Sequence, residues 1–512
     1  MSPRTTSSAP PTLVRLDLGS AIPLYRQIYD SLRDAITSGR LPPGAAIPAT
    51  RVLAQELAVS RNTTAAALAQ LRAEGYLEVR PRSGTRVSPL LPDTLLAAPG
   101  GRGARGARGG RGHRVPGSHA TARHPALSRH GARLAALHLP SASPPRPFRF
   151  GVPALDAFPW RLWARLTSRR LRHSAAALTG YDRATGFAPL RESIAGYVRA
   201  ARGAACTPDQ VIITSGAQQG LDLVARLLVD EADPVWVENP GYPSARAAFA
   251  AVGARIVPVP LDQEGLDVRA GARRAPRARL VYTTPSRQYP VGMTMSAARR
   301  FELLRWAARA DAWVVEDDYD SEFRYVSRPL ACLQGLDEGG RVIYVGTFSK
   351  TLFPGLRLGY VIAPPALVPA FAAARAVADW HSPAVEQAVL ADFIREGHFA
   401  RHIRRMRVLY LARRNALLAA LEGLEGLGPN GFEVADASGG MQLLGWLPRG
   451  VNDRHIAKLA LAAGLEVAPL SAFATGPLQR GGLVLGYTEF TPAELAAAAH
   501  RLGVVLARAR GG

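Results

Sequence analysis

The 512-residue sequence has very little cysteine and no long apolar run. Its two cysteines, Cys206 and Cys332, have no Cys or His cluster near them, which argues against a disulfide framework and against a zinc site. We therefore expect two buried free thiols. No stretch of about 18 uncharged apolar residues occurs, so no membrane span is predicted. The first residues, MSPRTTSSAP, lack the apolar segment of a secretory signal, and these absences together favour a cytoplasmic protein.

Lysine is equally scarce. Of the 63 basic residues only Lys350 and Lys458 are lysines. Arginine supplies charge and hydrogen bonds as well as lysine does, but it cannot be deprotonated to an amine nucleophile. A retained lysine is therefore a candidate for Schiff-base chemistry. Lys458 lies in the amphipathic segment HIAKLALAAG, which is typical of a solvated helix surface, whereas Lys350 follows a strand-like run in GTFSKTLFPGLRLGY.

Positive charge is concentrated toward the N-terminus of a chain whose net charge is +23. Residues 12–88 hold ten arginines and six acids, and residues 89–147 hold nine arginines and one acid. About a quarter of the chain thus carries about half of the excess charge. A basic N-terminal region suggests a polyanionic partner, most simply nucleic acid.

Residues 1–88 show the pattern of three helices followed by a small hairpin. The first helix begins at Pro23 and places one apolar residue per turn on its inner side. Thr50 is predicted to cap a short second helix, and Ser60 to cap a third helix that runs to about residue 74. Two short strand patterns, at residues 76–80 and 85–87, enclose a turn. This order predicts a winged helix-turn-helix domain.

The third predicted helix is the candidate recognition helix, because the N-terminal end of the second helix of such a motif enters the major groove. Arginine can bond guanine, asparagine can bond adenine, and threonine can contact a phosphate or the thymine methyl group. Arg51, at the start of the preceding helix, is placed for a phosphate. The predicted DNA-contacting residues are Arg51, Ser60, Arg61, Asn62, Thr63 and Thr64 in the helices, and Arg80, Arg82, Ser83 and Arg86 in the wing.

The segment that begins PLYRQIYDSL and ends RPRSGTRV resembles a GntR-type winged helix over its full length. Its most specific parts are SRNT, EGYLEVR and SGTRV. The resemblance implies binding of double-stranded operator DNA.

Residues 89–147 have no sustained periodicity and contain GGRGARGARGGRGHR, which predicts a Gly/Arg/Pro-rich flexible linker, mostly disordered. Residues 148–512 alternate between strand and helix patterns, and such alternation predicts an α/β fold with a largely parallel, helix-covered sheet. Helix-rich residues from about 364 to 512, with short strands near 440–446 and 483–487, predict a smaller α/β subdomain. The predicted strands of the large sheet are residues 211–214, 235–238, 255–259, 280–283, 313–316 and 342–345.

The second region offers a candidate for each requirement of pyridoxal 5′-phosphate (PLP) at the carboxyl edge of this sheet, where open α/β sheets bind ligands. Lys350 would hold the aldehyde, and Asp317 would pair with the pyridine nitrogen. Tyr319 is placed to bond the phenolic oxygen, and Tyr242 to stack on the ring. The predicted phosphate donors are the strand-to-helix turn Ser215, Gly216, Ala217 and Gln218, together with Thr347, Ser349 and Arg357.

These motifs resemble the fold-type-I, class I/II aminotransferases over about residues 148–512. The variants EDDY, TPSRQYPVG and TFSKTLFPGLRLGY are similar to the MocR/GabR/PdxR regulators, in which such a domain follows a GntR head. The resemblance implies that Lys350 is the catalytic Schiff-base lysine, that Asp317, Tyr319 and Arg357 contact PLP, and that Gln288 lies near its phenolic oxygen. It also implies a domain-swapped homodimer in which Tyr181 reaches the phosphate of the neighbouring subunit.

Three positions depart from the family pattern. Arg287 and Gln442 stand where histidine is usual, and Val484 stands where relatives often place the arginine that binds a substrate carboxylate. Either Arg480 substitutes for that arginine, or the effector is not an ordinary α-amino acid. The expected function is therefore a PLP-dependent transcription regulator that senses PLP or an amino compound through an aldimine at Lys350 and controls vitamin B6 or amino-compound metabolism genes. An active aminotransferase with secondary DNA binding is the alternative, and turnover stays open.

Overall fold

A computed structural model of the protein describes residues 14–80, 84–89, 91, 127–135, 144–325, 331–425, 432–435 and 438–509. The chain divides into two compact units, Met1–Ala122 and Arg123–Gly512. The first unit holds the predicted winged helix and the second the predicted aminotransferase fold. In the described residues no helix has the length and apolar character needed to cross a membrane. Cys206 and Cys332 are free and buried, as predicted.

The first unit contains three helices and a hairpin in the predicted order. They are α1 (Leu24–Thr37), α2 (Thr50–Glu56), α3 (Arg61–Ala73), β1 (Leu77–Arg80) and β2 (Gly84–Val87). Pro23 precedes α1, and the buried face of α1 includes Ile28, Leu32 and Ile36. The Ser60 hydroxyl accepts a hydrogen bond from the Thr63 N–H at 3.0 Å and so caps α3, as predicted.

Two predictions for the helices of this unit are wrong. Thr50 is the first residue of α2 rather than its cap; Ala49 occupies the cap position and makes no side-chain bond. Thr64 is fully buried, and its hydroxyl donates to the carbonyls of Thr50, at 3.2 Å, and Arg61, at 3.0 Å. Thr64 therefore joins α2 to α3 and is not available to DNA.

The second unit is built on one large sheet. Its strands are β3 (Val211–Thr214), β4 (Pro234–Asn239), β5 (Arg255–Asp262), β6 (Gly265–Leu266), β7 (Leu280–Thr283), β8 (Trp313–Asp318), β9 (Val342–Thr347) and β10 (Gly359–Ile362). Their order is β3–β10–β9–β8–β7–β4–β5–β6. The pairs from β5 through β4, β7 and β8 to β9 are parallel, whereas β10 is antiparallel to both its neighbours. The predicted, largely parallel sheet is thus present.

Strands of this sheet read as continuous apolar runs because helices cover both faces. All four residues of β3, β7 and β10 are buried. The helices before and between these strands are α4 (Arg129–Ala135), α5 (Trp160–Leu178), α6 (Ala188–Arg202), α7 (Ala217–Leu228), α8 (Pro243–Ala251), α9 (Val268–Arg274), α10 (Ala297–Ala310) and α11 (Leu333–Leu336).

A smaller antiparallel sheet forms the C-terminal part. Its strands are β11 (Glu433–Val434), β12 (Gln442–Trp446), β13 (Ala468–Pro469) and β14 (Gly482–Gly486), in the order β11–β12–β14–β13. The accompanying helices are α12 (Val368–Asp379), α13 (Ala384–Arg395), α14 (His398–Glu425), α15 (Asp453–Ala462) and α16 (Pro492–Arg508). The segment before α5 joins this part, since the Gly486 N–H donates to the Phe148 carbonyl at 2.8 Å.

The described residues 127–135 of the predicted linker, residues 89–147, include a packed helix, which the sequence pattern did not indicate. A ring nitrogen of His130, in α4, lies 2.9 Å from the Ala251 carbonyl at the end of α8, and Arg133 pairs with Glu231. Helix α4 is therefore held on the second unit by contacts distant in sequence. Most of the remaining linker lies outside the described residues.

Candidate cofactor site and DNA-binding surface

A cavity of about 230 Å³ lies at the carboxyl edge of the large sheet. Four parallel strands, β4, β7, β8 and β9, end at this edge, and each contributes side chains from its last residues or from the loop that follows. The residues that line the cavity are Ala217, Gln218, Tyr242, Tyr282, Thr284, Tyr289, Asp317, Tyr319, Thr347, Ser349, Lys350, Pro354 and Arg357. Nine of them were predicted from sequence; Tyr282, Thr284, Tyr289 and Pro354 were not.

Lys350 follows β9 and presents its amine to the cavity. Its Nζ donates a hydrogen bond to the Gly151 carbonyl at 2.7 Å. Burial lowers the pKa of Lys350, and the nearby carboxylates of Asp320 and Asp317 oppose this effect. A lowered pKa increases the fraction of neutral amine, which is the form that attacks an aldehyde. Lys458, by contrast, is exposed on α15, as predicted.

Asp317 lies inside β8 rather than directly after it. Its Oδ2 accepts a hydrogen bond from the Tyr282 hydroxyl at 2.7 Å. Its Oδ1 is buried and has no hydrogen-bond partner among the residues described. Burial raises the pKa of Asp317 to about 7, because the ionised carboxylate loses its hydration there and the hydrogen bond from Tyr282 only partly compensates. The carboxylate is thus poised to accept a cationic N–H from a bound molecule.

Aromatic rings surround the space between these groups. Tyr289 is the central ring, with its centroid 5.2 Å from that of Tyr242 and 5.6 Å from that of Tyr319. The Tyr319 hydroxyl is buried and makes no hydrogen bond to any residue in the described ranges. Burial raises the pKa of both Tyr242 and Tyr319 above that of free tyrosine. Both phenols therefore stay protonated and can donate.

The turn before α7 has the form of a phosphate cradle. Gly216 caps α7 with a φ of +84°, a conformation that side chains disfavour, and Ala217 and Gln218 of the first helical turn line the same cavity. Arg357 donates to the Ser215 carbonyl at 2.7 Å, which holds its guanidinium at this turn. Thr347 Oγ1 accepts from the Ser349 N–H at 3.1 Å, so both hydroxyl residues are fixed beside Lys350.

Gln288 takes a different position from the predicted one. It does not line the cavity, and its amide nitrogen donates to Glu238 Oε2 at 3.0 Å and to the Pro240 carbonyl at 2.9 Å. Glu238 also accepts from the Thr284 hydroxyl at 2.7 Å. Gln288 therefore anchors the loop that presents Thr284 and Tyr289. The position of Tyr289 next to Gln288 in TPSRQYP was a signal that could have identified it.

The three residues that depart from the family pattern make contacts with other parts of the protein. Arg287 is buried, lies 3.4 Å from Asp320 and donates to the Gln442 carbonyl at 2.9 Å. Arg480 pairs with Glu433 at 2.7 Å and is not among the residues that line the cavity. Val484 is completely buried in β14.

Tyr181, which was predicted to reach the phosphate of a neighbouring subunit, is 90% exposed and does not line the cavity of its own chain. Its ring centroid lies 5.8 Å from that of Trp380.

The residues present fit PLP. The two orphaned oxygens, Asp317 Oδ1 and Tyr319 Oη, correspond to the partners that the pyridine nitrogen and the phenolic oxygen of PLP require. A nucleophilic amine, a helix N-terminus and a guanidinium occupy the same cavity. Lys350, Asp317, Tyr319, Tyr242 and the phosphate cradle can therefore hold this cofactor.

The candidate DNA-binding surface is the start of α3 with the end of the hairpin. Arg51, Arg61 and Asn62 are exposed, whereas the Ser60 and Thr63 hydroxyls bond each other at 2.8 Å. Arg80 is exposed but pairs with Glu78 at 2.6 Å. Arg86 turns inward, and its guanidinium donates to the Gly44 carbonyl at 2.8 Å. Arg82 and Ser83 lie outside the described residues.

Comparisons with known proteins match both units. Residues 24–87 match the bacterial regulatory proteins of the gntR family, and residues 157–502 match the class I and II aminotransferases. The solved structure of LysN, an α-aminoadipate aminotransferase from Thermus thermophilus complexed with N-(5′-phosphopyridoxyl)-L-leucine, is similar with a TM-score of 0.66 and 31% identity. That likeness covers 71% of this chain and 92% of LysN. Fold and site thus define a winged-helix protein with a fold-type-I aminotransferase domain.

Two regulators are similar over nearly their full lengths. The probable rhizopine catabolism regulatory protein MocR of Rhizobium meliloti is 40% identical over 479 residues, which cover 93% of this chain and 92% of MocR. The pyridoxine biosynthesis transcriptional regulator PdxR of Corynebacterium glutamicum is 33% identical over 465 residues, covering 90% of this chain and 91% of PdxR. The chain belongs to this family of transcription regulators, which confirms the resemblance inferred from its motifs.

Proposed function

We propose that this regulator binds PLP covalently at Lys350 and changes its DNA binding in response to PLP or to an amino compound that reacts there. The observation that carries the proposal is a pair of buried oxygens, Asp317 Oδ1 and Tyr319 Oη, which have no hydrogen-bond partner among the described residues and belong to residues that line the cavity of the Lys350 amine. PLP, when bound, supplies an aldehyde that reacts with primary amines and a ring that withdraws electrons from them.

The chain's own groups would act as follows. Lys350 would provide a neutral amine. Asp317 would accept a hydrogen bond from the protonated ring nitrogen, and the Tyr319 hydroxyl would donate a hydrogen bond to the phenolic oxygen. Arg357 and the N–H groups of Ala217 and Gln218 would bind the phosphate, whereas the Ser215 N–H donates to Gln219 Oε1 at 2.7 Å. A ligand that contacts both the turn before α7 and Lys350 would bind more tightly to the conformation in which both are ordered. Such a difference in affinity between two conformations is what a two-state switch requires.

We further propose residues 1–88 as the operator-binding domain, residues 89–147 as the linker and residues 148–512 as the effector domain of a cytoplasmic homodimer. The exposed Tyr181 and Trp380 support pairing of two effector domains, since a ring that is 90% exposed is unusual on a free surface. Relatives named for rhizopine catabolism and pyridoxine biosynthesis favour target genes of amino-compound or vitamin B6 metabolism.

The experiment compares apo and PLP-loaded protein on a DNA fragment that the full chain selects from a random pool. PLP should shift the affinity or footprint of the wild type, and Lys350→Ala should abolish both the visible absorbance of bound PLP and this response. Lys458→Ala is the matched control and should behave as wild type, since Lys458 is exposed on α15. Identical DNA binding with and without PLP, together with steady glutamate formation from amino acids and 2-oxoglutarate, would instead favour an aminotransferase.

A further inference from the structure

A group of aromatic rings lies beside Lys350 and is not used by the cofactor contacts described above. Phe150 precedes Gly151, whose carbonyl accepts the hydrogen bond of the Lys350 amine. The Phe150 ring centroid lies 6.4 Å from that of Tyr289 and 5.9 Å from that of Phe473. The Tyr289 and Phe473 centroids are 5.5 Å apart. The three rings therefore form one connected surface next to the reactive amine.

This aromatic surface continues into a buried apolar cluster. Its members, here called the Val484 cluster, are Leu444, Leu470, Phe473 and Val484, and Phe150 and Tyr289 pack against them. Val484 pairs with Leu444 on β12 and with Ala468 on β13, so the backbone fixes its position. Since Tyr289 also lines the cavity, the apolar surface extends from the cavity to the core of the small sheet.

The arginines that flank these residues in sequence are already bonded. Arg149 pairs with Glu489, and Arg480 pairs with Glu433. Arg287 contacts Asp320 at 3.4 Å, the Gln442 carbonyl at 2.9 Å and the Gly292 carbonyl at 3.3 Å. Each guanidinium thus has acceptors within the protein, although the buried Nε of Arg287 has no hydrogen-bond partner among the described residues.

Within the described part of the chain, the basic side chains that line the cavity are those of Lys350 and Arg357. Arg357 is held at the phosphate turn by the Ser215 carbonyl. A carboxylate placed against Phe150 or the Val484 cluster would lose its hydration. Among the described residues that line the cavity it would find no basic side chain besides Lys350 and Arg357, which is strongly unfavourable. An apolar group in the same place would gain from burial.

We propose that the effector is a primary amine that has no carboxylate next to its amino group and carries an apolar or aromatic body. The amino group approaches the position of Lys350 Nζ, and the body packs on Phe150, Tyr289 and Phe473. The inference rests on the proposed function, because it assigns the ligand class of the same site.

The test uses pairs of ligands that differ only in the carboxylate. Full-length, PLP-loaded protein is titrated by calorimetry with 2-phenylethylamine and phenylalanine, and with 3-methylbutylamine and leucine. We expect each amine to bind at least about tenfold more tightly than its amino acid, as a charge-assisted bond is missing for the latter. Ethanolamine, which has no apolar body, should bind more weakly than either amine. Equal or tighter binding of the amino acids would overturn the proposal.

Two variants test the residues named. Phe150→Ala should weaken binding of 2-phenylethylamine several-fold and leave ethanolamine unchanged, whereas Val408→Ala, on the exposed side of α14, should change neither. Val484→Arg should reverse the preference within each pair, and Val484→Leu should preserve it. If Val484→Arg does not fold, the ligand pairs and Phe150→Ala still decide the question.

The outcomes separate this inference from the proposed function. If DNA binding responds to PLP but the protein prefers amino acids to amines, the proposed ligand class is wrong and the proposed PLP-sensing function is retained. Absence of any PLP binding would overturn the proposed function first, and this is read from the visible absorbance before any amine is added.

Discussion

Replacing Asp317 by asparagine should stabilise the apo protein at pH 8 while weakening its hold on PLP. Burial raises the pKa of Asp317 from 3.8 to about 7. The folded state therefore prefers the protonated carboxyl, so this contribution to stability is complete below pH 3.8 and is lost as the pH rises through 7. Above pH 7 the ionised carboxylate lowers the free energy of unfolding by about 4 kcal/mol at most relative to the protonated group. This follows because a pKa difference of one unit between the folded and unfolded states corresponds to about 1.36 kcal/mol.

The amide in Asp317→Asn would keep the hydrogen bond from Tyr282 and remove the charge, so the gain in stability should depend on pH. It should be greater at pH 8 than at pH 5 by about 2–3 kcal/mol, since Asp317 is largely protonated in the folded state at pH 5. The assay is urea unfolding of apo protein followed by tryptophan fluorescence. All seven tryptophans lie in the second unit, so the signal reports on that unit alone.

The control is Asp222→Asn on the partly exposed side of α7, which removes the same charge and should show no comparable pH dependence. PLP binding to Asp317→Asn should be weaker, because an amide cannot pair with the protonated ring nitrogen as a carboxylate does. An equal effect of Asp317→Asn at pH 5 and pH 8 would refute the reasoning about burial. Unchanged PLP affinity would refute the role at the ring nitrogen.

Three further predictions test other parts of the structure. Arg61→Ala should weaken operator binding and relax base preference, whereas Arg51→Ala should weaken binding to all DNA sequences about equally. Gel shifts on operator and scrambled DNA at fixed salt measure this, and an equal loss of affinity for both DNAs in Arg61→Ala would exclude base reading. Ser60→Ala should cost about 1 kcal/mol, measured as faster amide hydrogen exchange in α3; unchanged exchange would contradict the cap. Gly440→Ala should lower the thermal midpoint more than Gly450→Ala, because both have positive φ but only the first methyl group would meet a guanidinium; equal shifts would exclude that contact.

The order of elements and most of the cofactor site followed from local patterns. Apolar runs with β-branched residues predicted β3 and β7 without error, and the cap at Ser60 was visible because it depends on residues three apart. Lys350 was identifiable because arginine stands at almost every other basic position. Asp317 and the phosphate turn followed from strand ends, which a parallel sheet necessarily brings to one edge.

Contacts between distant segments were decided only by tertiary structure. Threonine is a residue type that can contact DNA, but the packing of α2 on α3 buries Thr64. Tyr289 reaches the cavity and Gln288 does not, since Glu238, 50 residues earlier, accepts the amide of Gln288.

By itself, then, the sequence determined the fold class, the two units and the candidate Schiff-base lysine, Lys350. All three depend on composition or on residues close together along the chain. Burial of Asp317 Oδ1 without a partner, the attachment of α4 through His130 and the continuity of Val484 with the cavity required the folded chain. The physical reason is that hydration and apolar contact depend on which surfaces meet, and segments hundreds of residues apart meet only in the folded chain.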